Sequence, residues 1–151
     1  MPIKLEDATT RIFQGLKTSA DKIYIVEARK RVSGNVVIFS PMKEWEYVLE
    51  PDLLHSLVKG GDSHAYHLST TERLILFPYK DGVLIPQAVL QKQYPFTWNY
   101  LCENKKYLEE REDGMLKGEN WYAFGRTQAL DVISLPKIFI CLLYTSDAAD
   151  E

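Results

Sequence analysis

Short β-branched and aromatic runs, closed by Gly, Pro or charged turns, recur through the first 85 residues, and helical spacing takes over after them. Residues 23–28 and 35–39 read as neighbouring strands. Arg29, Lys30, Arg31, Ser33 and Gly34 between them read as a hairpin loop. Residues 46–49 are a third candidate strand, and 73–78 (RLILFP) are the most strand-like run. Lys80-Asp81-Gly82 then makes a turn, with a short return strand over 83–85. Residues 121–124 and 137–140 are two further candidates. Leu5, Ala8, Ile12 and Phe13 have helical spacing, and Gly15 follows them as a stop. Pro51 with Asp52 suits a helix start, Leu53, Leu54, Leu57 and Val58 give it one apolar side, and Gly60-Gly61 ends it, which predicts a helix over 51–59. The strongest helical pattern is 95–112, where Trp98, Leu101, Cys102, Lys105 and Leu108 form a stripe. Residues 86–93 fit either state. Hairpins with helices inserted between them predict an α+β fold with a mixed, mostly antiparallel sheet.

Composition narrows the class without naming a function. The 151 residues are 46% hydrophobic and 26% charged, which suits one globular domain and excludes collagen, coiled coil and wholesale disorder. No run of eighteen apolar residues is present, so no membrane-spanning helix is expected. Residues 1–7 lack the apolar core of a signal peptide, and the 2 cysteines make no disulfide framework, so a reducing cytoplasm is the expected location. No repeat or low-complexity segment interrupts the chain.

The enzyme motifs are absent. There is no G-x-S-x-G, Walker A, H-E-x-x-H or G-x-G-x-x-G. His64 and His67 form an H-x-x-H pair with His55 nearby, but no cysteine pair or glutamate stands at a matching offset for zinc, and surface histidines are the expectation. Cys102, on the apolar stripe, reads as a small buried hydrophobe. Glu109-Glu110 and Glu112-Asp113 read as a solvated helix end, and any chain of this size offers a trio like Asp52, Glu103 and Lys105. Two segments fit nucleic acid. Arg29-Lys30-Arg31 at a hairpin tip would meet phosphates, or be a solvated turn. Trp121-Tyr122-Ala123-Phe124-Gly125-Arg126-Thr127-Gln128 anchors an Arg and a Gln beside three aromatics. Those side chains match guanine and adenine edges, although an Arg under a Gly turn also serves structure.

Those residues, with others spread along the chain, resemble the TaqI-like C-terminal specificity domain. That domain is the target-recognition part of adenine-specific DNA methyltransferases and fused type IIG restriction–modification enzymes. The matching pieces are residues 12–24 with Gly15, Thr18 and Asp21; Glu50-Pro51-Asp52-Leu53-Leu54 followed by Gly60-Gly61-Asp62; and Arg73 with Leu76-Phe77-Pro78-Tyr79. After them come Tyr94-Pro95 with Tyr100-Leu101, Leu108 and Arg111, then Trp121-Tyr122 with Gly125-Arg126, Gln128 and Pro136-Lys137-Ile138. They cover about residues 5–140. The resemblance implies sequence-specific binding of double-stranded DNA. An upstream methyltransferase domain of the same polypeptide would supply S-adenosylmethionine and the catalytic Asn/Asp-Pro-Pro-Tyr/Phe motif, neither of which has its signature here. That domain would extrude the adenine, and this one would clamp and read the duplex. No catalytic, cofactor or metal residue is therefore assigned within the chain. The DNA-contacting candidates are Lys17, Thr18, Arg29, Lys30, Arg31, Arg126 and Gln128, while Gly15, Phe77, Pro78, Tyr94 and Trp121 are expected to be structural. A docking module without DNA contact is the alternative.

The last eleven residues, CLLYTSDAADE at 141–151, resemble a translated sequencing-library adapter. On that reading residues 1–140 are a recognition-domain fragment, truncated at its C-terminus. Without Asp147, Asp150 and Glu151 the formal charge moves from −3 to 0. A neutral chain departs from a strongly basic DNA binder, so much of the phosphate affinity is expected from the upstream part.

Overall fold

The computed structural model describes residues 2–59, 63–64, 67–68 and 72–138, so the tail at 141–151 and the Gly60-Gly61 stop lie outside the described residues. A one-turn helix α1 (Leu5–Ala8) is all that forms of the helix expected to residue 13. Residues 9–20 then run as an irregular strap to a second single turn, α2 (Asp21–Tyr24), which passes directly into β1 (Ile25–Val32). The chain reverses at Ser33-Gly34 into β2 (Asn35–Ser40). Both turn residues have positive φ, 50° and 81°, the two-residue turn whose twist matches a hairpin and which glycine enters without steric cost.

Strand β3 (Trp45–Leu49) is followed by a 3-10 turn at Pro51–Leu53 and by β4 (Leu54–Ser56). After a small ribbon of β5 (Ser63–His64) with β6 (His67–Leu68) comes β7 (Arg73–Leu76). These complete a five-stranded sheet of order β3-β2-β1-β7-β4, antiparallel at every pairing. A second small ribbon, β8 (Tyr79–Lys80) with β9 (Val83–Leu84), leads to α3 (Gln87–Gln93), α4 (Pro95–Glu103) and α5 (Lys105–Glu110). The fold is α+β, as the order of elements predicts.

Five local expectations are corrected. The helix expected over 51–59 gives way after Leu53, because β4 pairs Leu54 with Leu76, His55 with Ile75 and Ser56 with Leu74, and that ladder outweighs a short helical pattern. The long helix expected over 95–112 breaks at Asn104, whose ψ is 6° and whose buried Nδ2 donates to the Tyr100 carbonyl at 2.9 Å. The buried face there is Thr97, Tyr100, Leu101, Asn104 and Leu108. Cys102 is exposed rather than part of the apolar stripe. Residues 121–124 are buried but form turns, not a strand. Lys137 and Ile138 are not in a strand, and residues 139–140 lie outside the described set.

One hydrophobic cluster joins Val26, Val36, Ile38, Leu49 and Leu76 of the sheet to Leu90, Tyr100, Leu101 and Leu108 of the helices. Its polar seams are closed by specific bonds. The Tyr100 hydroxyl donates to the Ile23 carbonyl at 2.7 Å and lies 3.0 Å from Ser40 Oγ. Glu50 crowns the N-terminus of α4, accepting from the Phe96 and Thr97 amides at 2.9 Å each and from Thr97 Oγ1 at 2.7 Å. A carboxylate at that end satisfies orphan amides and the helix dipole together.

Candidate nucleic-acid interface

The strap and the 121–128 segment meet at a junction built around one side chain. Arg111 is 6% exposed. Its Nε donates to the Leu108 carbonyl at 2.9 Å and Nη1 to that of Thr18 at 2.6 Å. Nη2 donates to the carbonyls of Trp121 at 2.9 Å and Ala123 at 2.7 Å. This explains why residues 121–124 stay buried without a ladder: a guanidinium fork and the Tyr24 hydroxyl, which bonds the Tyr122 carbonyl, satisfy the backbone instead. Burial pulls the guanidinium pKa below its ordinary value, while the neighbouring Tyr24 and Tyr79 hydroxyls and Glu112 oppose that pull. The guanidinium lies 5.8 Å over the Tyr24 ring, and Trp121, Tyr122 and Phe124 pack ring to ring with Tyr24, Tyr79 and Trp98.

Two backbone bonds carry the junction to the surface. The Gly125 amide donates to the Thr18 carbonyl and the Arg126 amide to that of Lys17, each at 3.1 Å. Glycine suits residue 125, since a Cβ there would lie 2.0 Å from Ser19 Oγ and force that side chain to shift. Ser19 Oγ donates to Glu112 Oε1 at 2.6 Å, and Lys17 Nζ lies 3.6 Å from the same oxygen. That hydrogen bond first, and the Lys17 charge second, hold the Glu112 carboxyl below its usual range.

Lys17, Arg126 and Gln128 are exposed around this junction. Thr18 is not. It is 2% exposed, its hydroxyl donates to Asp21 Oδ1 at 2.6 Å, and it accepts from the Ala20 amide at 3.0 Å, so both hydroxyl functions are used within the strap. Two strap residues that sequence reasoning did not select stand beside the others. Gln14 Oε1 accepts from Arg126 Nη1 at 3.0 Å, and Arg11 Nη1 lies 3.4 Å from Asp131 Oδ2. Nothing in the local sequence signals either pairing, because each spans more than a hundred residues.

The other three candidates form a separate surface. Arg29, Lys30 and Arg31 lie in β1 itself and not in a loop, because the turn needs only Ser33-Gly34. The β1–β7 pairing ends at Glu27 with Arg73, so among the described residues Arg29–Val32 pair only with β2 and project as a two-stranded ribbon. A bulge falls at Arg29. Lys30 then faces Val37 and Arg31 faces Val36, which puts the two charges on opposite faces of the ribbon. Arg29 stacks over the Phe39 ring at 5.0 Å and lies 3.2 Å from Glu27 Oε2. At about 3.3 Å per residue, Arg31 lies about 20 Å along the strand from Ile25. Among the described residues no hydrogen bond or ion pair joins this ribbon to the Arg126 group.

Over most of its length the chain is similar to a restriction–modification enzyme. It is 29% identical over 135 residues, 81% of this chain, to the type II restriction enzyme and methyltransferase RM.Eco57I of Escherichia coli. The chain spans about 13% of that relative's length. No family model matches the sequence, and no solved structure matches it.

Other chemistry finds less support. Among the described residues no three His, Cys, Asp or Glu side chains group for a metal, and no helix is long and apolar enough to cross a membrane. His55 stands exposed on β4, edge-on to Phe77, and the backbones of His64 and His67 pair across β5 and β6. The strand-to-helix connection from β9 to α3 is Ile85-Pro86, without a glycine. A groove of about 550 Å³ runs between the strap and β4 over Leu16, Ile25, Ile75 and Phe77, and neither Arg126 nor Gln128 lines it.

Proposed function

We propose that residues 1–140 are a target-recognition portion of a site-specific adenine DNA methyltransferase, with 141–151 an appended tail. The likeness to a restriction enzyme and methyltransferase over 81% of the chain carries this reading. Duplex DNA is the partner. Arg29, Lys30 and Arg31 on the ribbon meet phosphates and set register, since a two-stranded ribbon fits the dimensions of a major groove. Lys17 adds a phosphate contact at the junction, and Arg126 and Gln128 read base edges. The chain performs no methyl transfer alone. The upstream domain of the same polypeptide binds S-adenosylmethionine and extrudes the adenine.

Fluorescence anisotropy of the full chain on a duplex library, read over a salt series, tests the proposal. Affinity that falls steeply with salt, with enrichment of one short sequence, is the expected result. Binding that is absent or insensitive to salt leaves a docking module in its place.

A further inference from the structure

The Arg126 side chain is held by a neutral partner. Arg11, Lys17 and Arg29 each lie within 4 Å of a carboxylate, Asp131, Glu112 and Glu27 in turn. Arg126 instead donates Nη1 to the amide oxygen of Gln14 at 3.0 Å. An amide orients a guanidinium without cancelling its charge. The backbone beneath is also fixed, because the Arg126 amide bonds the Lys17 carbonyl and Gly125 bonds Thr18, whose carbonyl Arg111 also holds. An exposed arginine normally loses several rotors when it binds; this one starts with part of that ordering done.

The pairing also selects a ligand. Gln14 uses its oxygen, the acceptor of its side chain, on Arg126. The guanidinium N–H groups that this bond leaves over are donors alone. In the major groove guanine offers two acceptors, N7 and O6. Adenine offers one acceptor and one donor, and cytosine a donor. A guanidinium, which only donates, can meet both guanine acceptors at once but a single acceptor on adenine.

We infer that Gln14 is a positioning residue which aims Arg126 at a guanine in preference to adenine at that base pair. The inference rests on the proposed DNA reading and deepens it. The test measures binding of the full chain and its variants to duplex libraries, with each variant's melting curve compared to wild type. Arg126→Ala is expected to abolish a guanine preference at one position, a roughly tenfold or greater loss of discrimination. Gln14→Ala is expected to weaken the same preference at the same position, and the double variant to lose little more than Arg126→Ala alone. Gln14→Glu, which keeps an acceptor, is expected to retain the guanine preference while lowering affinity for every sequence.

A Gln14→Ala variant that binds with unchanged preference overturns this inference and leaves the DNA reading standing. The same holds if it weakens all sequences equally, since that is a phosphate effect. Absence of duplex binding by the wild-type chain overturns both. Nitrogen-15 spectra of the Arg126 guanidinium in the free protein give a readout that needs no DNA. Hindered Nη rotation in wild type, released in Gln14→Ala, is expected, and equal rotation in both overturns the positioning role.

Discussion

Arg111 at the junction and the three basic residues beyond Ala28 are alike in charge and opposite in use. At the junction one guanidinium is buried and spends its donors on four backbone carbonyls from three stretches of chain. On the ribbon Arg29, Lys30 and Arg31 are all exposed, and of these Arg29 has a recorded carboxylate partner. The difference shows that position in the backbone ladder, not charge, decides the role. Where a ladder is missing, as over 121–124, an arginine must replace it. Where β1 outruns its partner β7, charged side chains line a strand edge that has no partner among the described residues, discourage pairing with other chains and remain available to an anionic ligand.

Removing the junction's arginine is the most severe way to break this contrast. Arg111→Met keeps the stem and deletes the fork, leaving the carbonyls of Thr18, Leu108, Trp121 and Ala123 without that donor. At about 1 kcal/mol or more per orphaned group, partly offset by relief of the buried charge, the loss is expected to exceed about 3 kcal/mol. Urea denaturation measures it. An unfolding midpoint within error of wild type would mean that the packed aromatics alone hold the junction. Gly125→Ala strikes the same place sterically. The added methyl meets Ser19 Cβ at 2.8 Å as well as its Oγ, so a cost of about 2–3 kcal/mol is expected by the same assay.

How much of this was legible in the sequence depends on the range of the interaction. The two tight turns, Ser33-Gly34 and Asp81-Gly82, were legible because a glycine signals each locally, but the strands run closer to them than expected: Arg29–Arg31 lie in β1 and Lys80 in β8. Leu54–Ser56 misread as helix because the ladder that claims them comes from residues 74–76, about twenty positions away. Asn104 inside a helical stripe gave no warning that it would break the helix. At the junction, the exposure of Lys17, Arg126 and Gln128 agrees with their polar chemistry. Thr18 and Arg111 were chemically indistinguishable from surface residues until the fold put buried partners beside them. Gln14 carried no signal at all, since its partner is 112 residues away.

Alkaline titration probes the core beside the junction through its tyrosines. Burial pushes the Tyr100 phenol up to about 12, against the ordinary value of 10.0. Burial raises Tyr24 further, although Arg111 opposes that shift. A raised acid keeps its proton in the folded state while the unfolded chain ionises near pH 10, so the unfolded state binds fewer protons above that point. Stability from Tyr100 is therefore complete below about pH 10 and is lost as pH rises toward 12, by roughly 2 kcal/mol. Tyrosinate absorbance followed alongside unfolding checks it. A cooperative step above pH 10 is expected, whereas smooth titration near 10 with the fold intact would contradict the burial.

The ribbon should respond least in stability and most in binding. Arg29→Ala, Lys30→Ala and Arg31→Ala together remove exposed charges that share one exposed ion pair and one stacking contact. Their combined effect on unfolding is expected to stay near or below about 1 kcal/mol, since exposed pairs and cation–π contacts are each worth about that or less. If each of the three neutralises one phosphate, the slope of log affinity against log salt should fall by about 2–3. Base preference should not change, because phosphate contacts fix register without reading sequence. Parallel melting curves and salt series on the triple variant measure both quantities. Unchanged stability with an unchanged salt slope would reduce the ribbon to an edge guard and leave DNA contact to the Arg126 side alone. A lost fold would mean that the Arg29 stack on Phe39 at the bulge holds the hairpin, and would erase the contrast with Arg111.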